Sequence, residues 1–88
     1  MTRFAIFVEV SLRPGIADPQ GATIERALPA LGFEGVSGVR AGKSFRFVVD
    51  AVDEPSARAT AEQLCQRLLA NPVIEDSAVS VQAVEGVR

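Results

Sequence analysis

The sequence has no histidine, tyrosine or tryptophan, one cysteine and one methionine. Without histidine there is no Ser–His or Cys–His nucleophile pair and no histidine-containing zinc site. With Cys65 alone, no internal disulfide can form. No glycine-rich phosphate loop of either standard spacing occurs. No apolar run approaches the ~20 residues needed to cross a bilayer, and the opening segment lacks the charged region and small-residue cleavage site of a signal peptide. The expectation is a cytoplasmic chain without a membrane partner. Basic runs are missing too: Arg3, Arg13, Arg26, Arg40, Lys43, Arg46, Arg58, Arg67 and Arg88 are scattered, and the formal net charge is −2. On average such a chain repels phosphate backbones, which disfavours nucleic acid as a partner.

What is present is a small apolar domain. The 88 residues are 48% hydrophobic, and all five aromatic residues are Phe. That composition supports one compact domain over 1–88 and argues against disorder. A domain this short buries only about 60–65% of the surface its unfolded chain exposes, so oligomerisation is a common source of added stability.

Phe4, Ile6, Val8, Val10 and Leu12 alternate with Ala5, Phe7, Glu9 and Ser11, predicting a first strand that Arg13-Pro14-Gly15 ends. Asp18 is placed to cap a helix whose first position is Pro19. Ile24, Ala27, Leu28 and Leu31 follow at i, i+3, i+4 and i+7, predicting one buried stripe, with Gly32 as left-handed cap. Pro29 costs about 3 kcal/mol in a helix interior, so a kink or an end near Leu28 is expected. Val36–Arg40 and Phe45–Ala51 read as a second and third strand joined as a hairpin through Ala41-Gly42-Lys43. Asp53 caps a second helix with Glu54 and Pro55 in its first turn and an apolar stripe of Ala57, Ala61, Leu64, Cys65 and Leu68. Asn71-Pro72 stops it, Val79, Val81 and Ala83 alternate along a last strand, and the tail after about Val84 is expected to fray.

The predicted order is βαββαβ, an α+β ferredoxin-like arrangement with a four-stranded antiparallel sheet and two helices on one face. Phe7 and Val48 fall on the other face, making both faces partly apolar and marking these two residues as candidates for an oligomer contact.

Isolated features that suggest chemistry have plainer explanations. Cys65 lies on the apolar stripe of a helix, where a thiol is inert. Glu75 and Asp76 fall beside Asn71-Pro72 and read as solvated loop charges, and Glu54 complements a helix dipole. Lys43-Ser44-Phe45-Arg46-Phe47-Val48 partly resembles an RNA-recognition signature, with Ile6-Phe7-Val8 as its companion. Ser44 and Arg46 replace the small residues of that signature, and Phe45 and Phe47 serve equally as helix-facing core.

Three segments together resemble the PurS family. They are Leu12-Arg13-Pro14-Gly15 with Asp18-Pro19-Gln20-Gly21, then Val39-Arg40-Ala41-Gly42-Lys43, then Leu68-Leu69-Ala70-Asn71-Pro72-Val73-Ile74-Glu75-Asp76. The resemblance implies a small subunit of phosphoribosylformylglycinamidine synthase that has no catalytic activity alone. It implies assembly with an ATP-dependent synthetase subunit, PurL, and a glutaminase subunit, PurQ, in purine (IMP) biosynthesis, and a homodimer or homotetramer. It implies no cofactor on this chain, with ATP and Mg²⁺ in the synthetase subunit. Carried over by position, the partner-contact candidates are Pro14, Gly15, Asp18, Gln20 and Gly21, then Arg40, Gly42 and Lys43, then Asn71, Pro72, Glu75 and Asp76. Proline, glycine and asparagine are also what turns and caps require. Two further readings stand beside this one: a dimeric regulatory domain binding a small ligand at its seam, and an RNA-binding βαββαβ domain.

Overall fold

A computed structural model describes residues 1–84. Three strands form one antiparallel sheet in the order β2-β1-β3: β1 (Thr2–Leu12), β2 (Gly42–Ala51) and β3 (Glu75–Ala83). Helix α1 (Pro19–Ala27) lies between β1 and β2, and α2 (Glu54–Leu64) between β2 and β3. β1 is central, pairing with β2 from Thr2↔Ala51 to Ser11↔Gly42 and with β3 from Phe4↔Ala83 to Leu12↔Glu75.

The alternation read in β1 sets the core. Phe4, Ile6, Val8 and Val10 are all buried against Ala57, Ala61 and Cys65 of the second helical segment, with Ala51 closing one end. The helix residues are small and spaced by four, so α2 lies close on the sheet and β1 carries the volume. Phe45, Phe47, Val49, Val79 and Val81 flank this centre and are only half-buried. Asp53 caps α2 by accepting from the Ser56 amide at 2.9 Å, and Arg58 donates to the Val79 carbonyl at 2.9 Å, tying the helix to β3.

Four expectations are corrected. The strand foreseen at Val36–Arg40 is not formed. Gly35 and Gly38 take φ of 80° and 72°, which breaks an extended path, and the Val39 amide donates to Glu25 of α1. Among the described residues the sheet is therefore three-stranded, and the outer edge of β2 has no partner there. Second, α1 does not cover the sheet. Its predicted stripe is open, with Ile24 44% and Leu31 69% exposed, because the helix projects past the strand ends. Third, Leu68 is 76% exposed: after α2 the chain makes one wider π turn over Cys65–Leu69, closed by Ala70 N donating to Cys65 O at 2.9 Å. The extra residue rotates Leu68 off the buried stripe. Fourth, Glu75 and Asp76 are the first residues of β3 and not part of a loop.

Pro29 acts as foreseen. Helix α1 ends at Ala27, a single 3₁₀ turn follows over Pro29–Leu31, and Gly32 caps it at φ 92°. The face of the sheet opposite α2 is mixed in character. Val48 is exposed on it, the Arg46 guanidinium stacks 4.9 Å over the Phe7 ring, and Arg3 pairs with Asp50 at 3.0 Å. The expectation of fraying after Val84 falls outside the described residues.

The molecule measures 52 × 31 × 15 Å with a radius of gyration of 17.0 Å, against about 12 Å for a compact domain of this length. Residues 13–41 form an arm that leaves the sheet between β1 and β2. No helix among the described residues is long and apolar enough to cross a membrane.

Candidate partner interface

The three segments singled out in the sequence meet at one end of the sheet, where β1 finishes and β2 and β3 begin. Arg13 stands at their junction. Its Nη2 donates to the Pro72 carbonyl at 2.6 Å, its Nε lies 3.4 Å from Asp76 Oδ1, and its own amide donates to the Ile74 carbonyl at 2.9 Å. Sequence reasoning passed over Arg13 as a contact residue; only its place just before Pro14-Gly15 hinted at it. Gly15 next to it takes φ 86°, a conformation that favours glycine.

Asp18 fastens the arm to this end. Oδ1 accepts from the Gly21 amide at 2.9 Å, capping α1, and Oδ2 accepts from the Ala41 amide at 2.8 Å. Arg40 Nε is 4.0 Å from Oδ2, and its Nη2 donates to the Leu12 carbonyl at 3.4 Å. The Asp18 side chain is only 8% exposed, and the two backbone amides with the nearby arginine hold its carboxyl below the usual carboxylate range. The fit is close at two glycines. A Cβ on Gly21 would lie 2.5 Å from the Val39 carbonyl oxygen, and one on Gly42 would lie 2.7 Å from that of Val10.

The third segment is a compact turn. Asn71 Oδ1 accepts from Val73 N at 3.0 Å, and Asn71 O accepts from Glu75 N at 2.8 Å. Glu75 returns a bond, accepting from Asn71 N at 2.7 Å, and pairs with Lys43 Nζ at 3.8 Å. Glu75 is thus 16% exposed and engaged, where a solvated charge was expected. Lys43 links this turn to the start of β2.

Of the sequence candidates, Asp18, Gly21, Arg40, Gly42, Lys43, Asn71, Pro72, Glu75 and Asp76 are therefore brought together, largely by bonds to one another. Pro14, Gly15 and Gln20 sit on the exposed rim. An open cleft of about 520 Å³ beside them is lined by Glu9, Ser11, Arg40, Lys43 and Asp76 among others, with neither charge in excess. The arrangement is a polar, self-bonded surface. It presents carbonyls, guanidinium groups and carboxylates held by bonds to one another. The two oligomer candidates lie elsewhere, Phe7 and Val48 both on the open sheet face.

The family model described as "PurS: Phosphoribosylformylglycinamidine (FGAM) synthase" matches residues 5–83. The chain is 40% identical over 79 residues to phosphoribosylformylglycinamidine synthase subunit PurS of Synechocystis sp., covering 90% of this chain and 79% of that one. Its fold superposes with a TM-score of 0.86 on a chain in the structure of PurLQS from Thermotoga maritima, at 34% identity and covering 93% of this chain and 100% of that one. For the PurS of Methanocaldococcus jannaschii, one of the subunits of formylglycinamide ribonucleotide amidotransferase in the purine biosynthetic pathway, the TM-score is 0.84 at 35% identity, covering 93% and 99% of the two chains.

Proposed function

The chain belongs to the PurS family of phosphoribosylformylglycinamidine synthase subunits, and from that premise we propose that it is the non-catalytic coupling subunit of that synthase in purine biosynthesis. It joins a glutaminase subunit of the PurQ kind to an ATP-dependent synthetase subunit of the PurL kind, so that ammonia released at one site reaches the other. ATP and Mg²⁺ belong to the synthetase subunit, and this chain binds no cofactor of its own. It works in the cytoplasm as a homodimer or homotetramer.

The observation that carries this reading is the meeting of the three family-like segments at one end of the sheet. Residues as far apart as Arg13 and Asp76 are held in contact there. A connecting subunit need only fix geometry, because keeping released ammonia from water and its protons is catalysis by proximity. A surface of mutually bonded loops suits that task. Arg40 and Lys43, with about half of each side chain exposed, are the charged groups best placed to reach a partner. Gly15 and Gly21 shape the backbone, and Pro14, Gln20, Asn71, Pro72 and Asp76 complete the contact surface.

The test is glutamine-dependent synthesis by the matching synthetase and glutaminase subunits, with and without this chain, with ammonia-dependent synthesis as control. Restored glutamine use with unchanged ammonia use supports coupling. No change in either rate, together with failure to co-elute, rejects it and leaves a ligand-binding regulatory domain as the leading reading.

A further inference from the structure

The turn that leads into β3 holds out an apolar side chain. Ile74 is half-buried, whereas Val73 beside it is 79% exposed, and nothing among the described residues covers it. The backbone on both sides of Val73 is bonded. Asn71 Oδ1 accepts from the Val73 amide itself, and Arg13 donates to the Pro72 and Ile74 carbonyls that flank it. Glu75, which accepts from Asn71 N, is paired in turn with Lys43 of β2. None of these bonds uses the Val73 side chain, so a polar residue would serve the fold as well at this position. A lone exposed valine is ordinary on a protein surface. Val52 is such a case: it is 69% exposed in the link from β2 to α2, and among the described residues no side chain of another segment bonds Ala51 or Asp53 on either side of it. Val73 differs in standing on a turn that two other segments brace.

We infer that Val73 is an anchor that inserts into an apolar socket on another subunit of the synthase, and that Arg13 is the positioning residue that holds the turn in the orientation this contact needs. The inference rests on the coupling reading above and names the side chain through which the contact is made. The surroundings favour a different chain over a second copy of this one. The side chains bonded into the turn, those of Arg13, Lys43, Asn71, Glu75 and Asp76, are all polar, so one apolar group stands inside a polar margin. Contacts between chains that fold separately are built this way, with an apolar centre and a polar rim that excludes water. Interfaces between identical subunits are apolar over a larger share of their area. The bonded backbone also lowers the ordering cost of association. The residues around the anchor are already held in the free chain, and valine has a single, stiff χ1 to settle. Pro14, exposed next to Arg13, lies at the same end of the sheet, so one partner surface can meet both.

The test titrates the full chain into the matching synthetase and glutaminase subunits and reads the concentration that gives half-maximal glutamine-dependent synthesis. Val73→Ser removes the apolar side chain and keeps the backbone bonds of the turn, so its melting curve should match the parent's. The half-maximal concentration should rise about tenfold, as for loss of one buried apolar anchor. Val52→Ser, at a comparably exposed valine elsewhere, should titrate as the parent does. Arg13→Gln should raise the same concentration when measured well below its melting midpoint. The double variant Arg13→Gln/Val73→Ser should fall short of the product of the two single effects, because both act through one turn. An unchanged titration for Val73→Ser, or an equal shift for Val52→Ser, overturns the anchor, and a double variant that shows the full product overturns the role of Arg13. Loss of the chain's own oligomer on Val73→Ser, read by sedimentation velocity, also overturns the anchor, since the socket would then belong to a second copy. Coupling itself is scored separately by co-elution. A parent that co-elutes without restoring glutamine use, with Val73→Ser absent from the complex, overturns coupling and leaves the anchor standing. A parent that couples while Val73→Ser titrates identically does the reverse.

Discussion

Helices α1 and α2 begin alike and end in opposite surroundings. Each starts after an aspartate that caps it, each has proline in its first turn, and each has an apolar stripe at helical spacing. The stripe of α1 holds larger side chains, Ile24, Leu28 and Leu31, yet stays open. That of α2, with Ala57, Ala61 and Cys65, is sealed. What differs is the connection. The link from β2 to α2 is two residues long and turns the helix back over the sheet. The chain leaving β1 is fastened outward by Arg13 and Asp18. An amphipathic stripe therefore says that a helix has a partner, and the anchor at its base says whether that partner can be its own sheet.

The sharpest way to test this contrast is to remove comparable side chains from the two regions. Ile6→Ala empties a buried site facing α2 and should cost about 2–5 kcal/mol. For a domain of this size that lowers Tm by roughly 10 °C or more, read by thermal denaturation. Next comes the arm's base. Gly21→Ala gains about 1 kcal/mol of helix propensity but sets a Cβ against the Val39 carbonyl, so α1 must part from the irregular segment that leads back to β2. Faster amide exchange at Val39 and Ala41, with Val8 unchanged, is the expected result; uniform protection would mean that base and body are one unit.

Asp18 gives the contrast a pH dependence. Its carboxyl is held low by the Gly21 and Ala41 amides, so the folded state binds its proton less readily than the unfolded chain does. The stability it lends is present above the ordinary aspartate value of about 3.9 and is lost as pH falls below that, through the lower folded value. Asp50, beside Arg3, and Asp53, bonded to Ser56, are shifted the same way and should lose their contributions over the same range. Asp18→Asn should flatten the acid side of an arm-specific signal, such as the Ala41 amide shift, while acid loss at Asp53 persists. The smallest effect is expected for Ile24→Ala, at about 0.5 kcal/mol or less when measured dilute enough to keep chains apart. A cost near that of Ile6→Ala under those conditions would erase the distinction between arm and body.

The elements that were legible in the sequence are those written locally. The alternation of β1, the aspartate caps and the stop at Pro29 depend on neighbours within a few residues. Membership in the sheet did not follow from the same kind of signal. Val36 and Val39 are good strand residues, but Gly35 and Gly38 take positive φ, and the Glu25 carboxylate takes the amide that a ladder would have used. The π turn that throws Leu68 outward has no local signature, since Gln66-Arg67-Leu68 would continue a regular helix equally well. At the partner interface, the turn residues could be recognised as turn residues, and the family-like segments marked where to look. That Arg13 would lock onto Pro72 and Asp76 depends on strand register, which brings chain positions about sixty residues apart into contact.

The placement of β1 has a mechanical consequence. It is bonded on both sides for most of its length, and its far end leads directly into Arg13, which ties the first loop to the turn before β3. Tension applied along it at Leu12 is borne in shear by two rows of hydrogen bonds loaded at the same time, so neither row can peel open first. The strand behaves as a beam. A pull at the loop end is therefore shared between β2 and β3 from the start.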